Sequence, residues 1–204
     1  MPYDRRVAGP SWFIALPVLR EDAEALVAAL PPPPPGLRLM PAADLHVTVA
    51  FFGSVGEERA RAGWEALSLS LTPLVATVGP VVALGNPRRY SALGVRLAEG
   101  RDAVEAAIGA ARDAPILAAG AGPEERPPLA HVTIARPPRG ARPRERSAGL
   151  DWAAKVSLGG PLHLGTVALY TLRADPTPAS RYRIVTSRPL AAGHTLPVEA
   201  DVPR

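Results

Sequence analysis

Apolar positions along the chain fall into short blocks separated by proline, glycine and charge. Residues 12–16 (Trp-Phe-Ile-Ala-Leu) are an unbroken apolar run of β-prone residues, which predicts a buried strand. Residues 21–30 are rich in Ala, Glu and Leu and predict a helix, stopped by the prolines of 31–35 and by Gly36. The proline run itself predicts an extended loop. Residues 37–40 suggest a short strand, and 45–53 a stronger one, with Val47 and Val49 alternating against His46 and Thr48. A helix is expected over 57–71, ended by Pro73. Strands are expected over 74–84 and 93–97 around the turn Gly85-Asn86-Pro87. Residues 102–112 predict a helix with Asp102 suited to its N-terminus. After a Gly/Pro-rich stretch, 120–128, a strand is expected over 129–136 and a polar, Arg-rich surface loop over 137–147. Residues 162–172 and 181–187 predict two final strands, and the last residues a loose tail.

Strands and helices alternate, but the strand spacings do not suit uniform βαβ crossovers. The pattern predicts an α+β fold with mainly antiparallel sheets. An early order of strand, helix and a strand carrying His-x-Thr is followed by a similar order ending on a second His-x-Thr, 85 residues later. That is a weak internal duplication.

Composition narrows the chemistry. A chain of 204 residues suits a single domain over 1–204, of one body or two small lobes. It contains no cysteine, which excludes disulfides, thiolate zinc sites and a cysteine nucleophile. No apolar run reaches the roughly 18 residues of a membrane span. The stretch from Trp12 to Leu19 is short and broken by Pro17, so it reads as a strand rather than a signal peptide, and the expected location is the cytoplasm. The net charge of +4 favours polyanionic partners. Lys155 is the one lysine among 23 basic residues, so an Arg, Ala and Pro composition bias explains the basicity equally well.

Residues i and i+2 of a strand share a face. His46 therefore stands beside Thr48, and His131 beside Thr133, each pair backed by apolar residues facing the other way. One His-x-Thr is commonplace. Two in nearly the same context, His46-Val-Thr-Val-Ala-Phe and His131-Val-Thr-Ile-Ala-Arg, in a chain with four histidines are not. His163 reads as a strand or loop histidine and His194 as a tail residue. Two imidazoles can divide the work of base and acid near neutral pH. Hydroxyls and a guanidinium can hold the charge of a phosphoryl transition state, and Arg136 closes the second motif. This set calls for no metal and no cofactor. No His-x-x-x-His pair and no acidic residue inside either motif suggests zinc, and no Gly-x-Ser-x-Gly elbow suggests a serine hydrolase.

At these residues the chain resembles the two-histidine phosphoesterase superfamily, and within it the bacterial and archaeal RNA 2′,3′-cyclic phosphodiesterases, also named 2′–5′ RNA ligases. Residues 12–17 resemble the opening strand, 44–53 the first motif with its Phe-x-Gly ending, and 130–136 the second motif with its arginine. Val167-Ala168-Leu169-Tyr170 and Tyr182 resemble the closing strands. Ser11 and Leu172 depart from the pattern, where an arginine and a serine are frequent.

The resemblance implies a bilobal fold, with two mainly antiparallel sheets related by a pseudo-twofold around a central groove and helices outside. It implies metal-independent opening of a 2′,3′-cyclic phosphate to a 2′-phosphomonoester, with 2′–5′ ligation as the reverse chemistry. It further implies that His131 activates water, that His46 protonates the 3′ oxygen, and that Thr48, Thr133 and Arg136 hold the phosphate. The partner is then an RNA with a cyclic phosphate end, or a small cyclic nucleotide, with no membrane and no obligate protein partner. A non-catalytic RNA-binding module is the remaining alternative. Phe51, Phe52, Trp12 and Tyr90 are candidates to stack on a base. Arg136, Arg139, Arg142, Arg144 and Arg146 form a basic segment that could guide RNA.

Overall fold

The computed structural model describes residues 9–191. Its strands are β1 (Trp12–Pro17), β2 (Arg38–Leu39), β3 (His46–Gly53), β4 (Leu74–Leu84), β5 (Ala92–Leu97), β6 (His131–Arg136), β7 (Pro161–Leu164), β8 (Thr166–Thr177) and β9 (Ser180–Pro189). Its helices are α1 (Arg20–Ala28), α2 (Glu57–Glu65), α3 (Arg101–Ala111), α4 (Asp113–Ala118) and α5 (Pro143–Ala153), with a single 3₁₀ turn at Ala42–Asp44.

The strands run in the order β7-β4-β5-β6-β3-β1-β8-β9, with β2 added on β6, and every pairing is antiparallel. The order is symmetric about the β6–β3 seam. On one side β3 is followed outward by β1, β8 and β9. On the other, β6 is followed by β5, β4 and β7. Each half carries the same local path: β1 leads through α1 to β3, and β5 leads through α3 and α4 to β6. The internal duplication is thus a pseudo-twofold, and its axis passes between the two His-x-Thr strands. The expected α+β, antiparallel architecture is what the chain adopts, but its strands form one continuous sheet rather than two, because β3 and β6 pair directly across the pseudo-twofold.

Period-two alternation gives the sheet two distinct faces. Trp12, Ile14, Leu16, Val47, Val49, Val132 and Ile134 point to the main core, against which α2, α3 and α4 pack. Phe13, Ala15, Ala168 and Tyr170 point to the opposite face and form a small separate cluster. The first face carries most of the hydrophobic stabilisation, and the second is free for chemistry.

Three local expectations are corrected, and one helix is unforeseen. The helix expected over 57–71 ends at Glu65. Beyond it Leu alternates with Ser, and Leu67 and Leu71 are buried from a non-helical chain. Serine hydroxyls compete with helical hydrogen bonds, and the alternation suits an extended path. The single strand expected over 162–172 is two strands broken at Gly165, with β7 on β4 and β8 on β1. The loop expected over 137–147 contains the start of α5. There Pro143 occupies the first turn, and the carboxylate of Glu145 accepts the N–H of Arg142 at 2.6 Å. Helix α4 has no counterpart among the expected elements, since its six residues are too few to show a period.

Helices α2 and α4 meet where Gly63 has no side chain. A Cβ there would lie 2.7 Å from Cζ of Phe52 and 2.9 Å from the carbonyl oxygen of Pro115. Gly63→Ala is expected to lower stability by about 1–3 kcal/mol through overpacking, read as a lower midpoint of chemical denaturation. An unchanged midpoint would mean that the helices separate without cost.

No helix among the described residues is long and apolar enough to cross a membrane. His194 and the charged residues Asp4, Arg5 and Arg6 lie outside the described residues.

Candidate active site

The two motifs meet at one point of the sheet. Val47 of β3 is paired with Val132 of β6, antiparallel. Opposed residues of an antiparallel pair face the same way, and their neighbours face the other. Val47 and Val132 enter the core, so His46, Thr48, His131 and Thr133 emerge together on the open face. The pairing sets the first histidine across from the second threonine, and the reverse. All four side chains are half-buried.

The symmetry extends to hydrogen bonding. Nδ1 of His46 lies 2.6 Å from the carbonyl oxygen of Asp44, and Nδ1 of His131 lies 2.6 Å from that of Leu129. A carbonyl only accepts, so each Nδ1 carries the hydrogen. Each neutral ring therefore keeps the Nε2 lone pair free. Two imidazoles are held in the same tautomer by the same contact, two residues back along the chain.

Their surroundings differ. His46 stacks on Phe13, with centroids 4.8 Å apart, and lies 5.4 Å from the Tyr170 ring and 5.7 Å from that of Tyr182. Burial among these rings pushes the His46 imidazole down to about 4. The hydrogen bond to Asp44 opposes that shift, and the charges of His131 and Arg136 add to it. His131 is also depressed by burial, opposed by its bond to Leu129 and reinforced by Arg136 and Arg96. Arg136 thus acts on both histidines. Its Nε is buried without a hydrogen-bond partner among the described residues.

Two acidic residues brace the motifs. Glu105 of α3 accepts Nη2 of Arg96 at 3.0 Å and the N–H of Ala130 at 2.9 Å, fixing the chain just before His131. Asp44 is buried at 1% exposure. Its carboxylate accepts the N–H of Arg181 at 2.8 Å and of Tyr182 at 3.2 Å, and lies 3.0 Å from Oγ of Ser180. The residue that holds His46 through its carbonyl therefore also anchors the β8–β9 hairpin through its side chain. Gly94 of β5 completes the fit: a Cβ there would come within 3.0 Å of Cδ2 of His131.

Beside the pair lies an open cavity of about 440 Å³. Phe13 and Tyr182, which flank His46, also line it, as does Arg136; neither histidine does. Ser11 and Leu172, where the sequence departs from the resemblance, stand on its wall.

The aromatic candidates separate sharply. Phe51 is 58% exposed and lines the cavity. Trp12 and Phe52 belong to the main core and offer no ring to a ligand. Tyr90 is buried too, closing the cavity wall from behind, with its hydroxyl donating to the carbonyl of Arg146 at 3.0 Å. Stacking roles for Trp12, Phe52 and Tyr90 are thereby corrected. Consecutive strand residues alternate, so only one of Phe51 and Phe52 could face the groove. Of the Arg-rich segment, Arg136, Arg139 and Arg146 reach the cavity, while Arg142 turns to Glu145. The ring of Tyr182 and the carboxylates of Asp44 and Glu105 have no assigned role in the sequence: Asp44 stands at the start of the first motif and Tyr182 in a closing strand, but their partners lie far along the chain, and nothing in the spacing ties Glu105 to either motif.

No protein-family model and no curated protein matches the chain. Solved structures do. The protein TT0787 of Thermus thermophilus superposes with a TM-score of 0.57 at 20% identity, over 90% of this chain and 100% of that one. E. coli LigT complexed with 3′-AMP gives 0.62 at 19% identity, over 89% and 98%. LigT complexed with NADP⁺ gives 0.60 at 19% identity, over the same shares. A structure described as a phosphoesterase gives 0.59 at 18% identity. The likeness extends over about nine-tenths of the chain, and this chain has the fold of LigT.

Proposed function

We propose that this chain is a two-histidine phosphoesterase that opens 2′,3′-cyclic phosphate ends of RNA to 2′-phosphomonoesters. The observation that carries the reading is the Val47–Val132 pairing, which sets two His-x-Thr pairs on one open face with matching tautomers. The fold shared with LigT and with a structure described as a phosphoesterase supports the phosphoesterase class. The RNA end is supported by the residues beside the pair, an exposed Phe51 ring for a base and arginines for phosphates.

In this reading one Nε2 takes a proton from water as it attacks phosphorus, and the other gives a proton to the departing ribose 3′ oxygen. Thr48, Thr133 and Arg136 hold the non-bridging oxygens, where charge develops. Both histidines keep Nδ1–H on a carbonyl throughout, so neither has to rotate or change tautomer. No metal takes part in these steps.

E. coli LigT has been solved with 3′-AMP, NADP⁺ and ATP. Those ligands are small nucleotides, which supports a second substrate class for this chain, a small nucleotide carrying the cyclic phosphate. Comparing turnover of a cyclic-phosphate oligoribonucleotide with that of the mononucleotide separates the two.

The pH dependence follows from the shifts. The productive form holds one proton across the two imidazoles. With both groups held below 6.5, that form is scarce at pH 8 and grows as pH falls. Once pH drops through about 4, His46 is protonated as well, and no neutral imidazole remains to act as base. A bell-shaped kcat/KM with an acidic maximum is therefore expected. A profile flat from pH 4 to 8 would rule out histidine acid–base catalysis here.

A further inference from the structure

We propose that the cavity beside the histidines is a second phosphate site, taking the phosphodiester on the 5′ side of the nucleoside whose cyclic phosphate is opened. The proposal rests on the reading of the histidine pair given above.

Five arginines of the described residues line the cavity: Arg38, Arg136, Arg139, Arg146 and Arg181. They come from β2, the end of β6, the following loop, α5 and the start of β9. Among the described residues no aspartate or glutamate lines it. Seven arginines of the described residues pair with a carboxylate, and none of those seven is in this cavity. The carboxylate of Asp44 stands behind the wall. It is buried, however, and already bound by the backbone of Arg181 and Tyr182. Arg146 is partly committed, its guanidinium lying 5.4 Å over the ring of Tyr90 and donating to the Tyr90 carbonyl.

Like charges gathered in a concave wall repel one another, and the low-dielectric surroundings focus their field outward. Such a cluster is stabilised by a bound anion. A cyclic phosphate carries one negative charge, and Arg136, close to both histidines, serves it. Arg38, Arg139 and Arg181 are left over, further along the same cavity. Phe51 lines that cavity as well, with its ring free for the base lying between the two phosphates. Guanidinium on phosphate is a strong, charge-assisted contact.

A phosphate at that position comes either from an RNA chain, as a diester, or from a 5′-phosphorylated mononucleotide. The test measures kcat/KM on adenosine 2′,3′-cyclic phosphate, on its 5′-phosphorylated form, and on a dinucleotide ending in the same cyclic phosphate. The dinucleotide is expected to exceed the bare nucleotide by about tenfold or more, the effect of one such contact. In Arg139→Ala and Arg181→Gln that ratio is expected to fall toward one. Equal kcat/KM in the wild type, or a ratio that survives both substitutions, would overturn the second site. An advantage confined to the 5′-monophosphate would overturn the RNA source. Turnover of none of the three would overturn the cyclic phosphodiesterase reading instead. Binding of adenosine 3′,5′-bisphosphate against adenosine 3′-phosphate would then decide the second site: tighter by about tenfold in the wild type only supports it, and equal affinity overturns it.

Discussion

His131→Ala and His46→Ala are each expected to lower kcat for cyclic phosphate opening by about 10²–10⁴, the usual contribution of a positioned acid or base. The fold should survive both changes, because each histidine is half-buried on the open face and the core contacts belong to Val47 and Val132. The double variant should be little worse than either single one, since the two groups act on one proton inventory. The roles can be told apart. An analogue with sulfur in place of the leaving ribose oxygen departs without a proton, so it restores rate only in the variant that has lost the acid. The family resemblance makes His46 the acid. In the free protein His46 is the imidazole driven down to about 4, so the substrate's negative charge must raise it for that role. Rescue of His131→Ala instead would exchange the two roles and leave the pair intact. Full activity in either alanine variant would remove the pair from the mechanism.

Asp44→Ala is expected to lower the unfolding free energy by about 2–5 kcal/mol. The carboxylate is buried and takes two backbone N–H groups and faces the Ser180 hydroxyl. Alanine takes the acceptor from the two backbone N–H groups, and each buried orphan costs about 1–3 kcal/mol, while the Ser180 hydroxyl keeps the Tyr182 carbonyl at 2.8 Å. In a chain of this length each kcal/mol moves Tm by roughly 2–4 °C. Activity should fall as well, because the hairpin presents Tyr182 to the His46 ring and Arg181 to the cavity. Asp44→Asn retains one acceptor oxygen and should recover part of both losses. A Tm unchanged in Asp44→Ala would mean that the hairpin holds its place without this anchor.

The sequence is most legible where one period dominates. Alternation in 45–53 and 129–136 places both His-x-Thr strands, and i, i+2 geometry puts each hydroxyl beside its imidazole. That the two strands are neighbours is not readable, because pairing between segments 85 residues apart leaves no local trace. The resemblance supplies the groove. Helix α5 is hidden by its own arginines: Arg142, Arg144 and Arg146 read as a polar loop, while Gly149, Trp152 and Ala153 on the inner side are what bury it. The break at Gly165 is concealed because the residues on both sides of it are equally strand-like, and only their partners differ. Trp12 and Phe52 illustrate the limit for function. An aromatic ring near a motif is equally suited to core or to ligand, and the face of the strand decides. Asp44 is visible as part of the first motif, but its role depends on a hairpin more than 130 residues away.

Two-histidine catalysis is tested most simply by incubating the protein, with chelator present, with an oligoribonucleotide ending in a 2′,3′-cyclic phosphate, and identifying the phosphate at the product end. The expected product is a 2′-phosphomonoester, formed at an undiminished rate under chelation and lost in His46→Ala and His131→Ala. An end that remains cyclic, or opening that requires an added metal ion, would contradict the two-histidine mechanism.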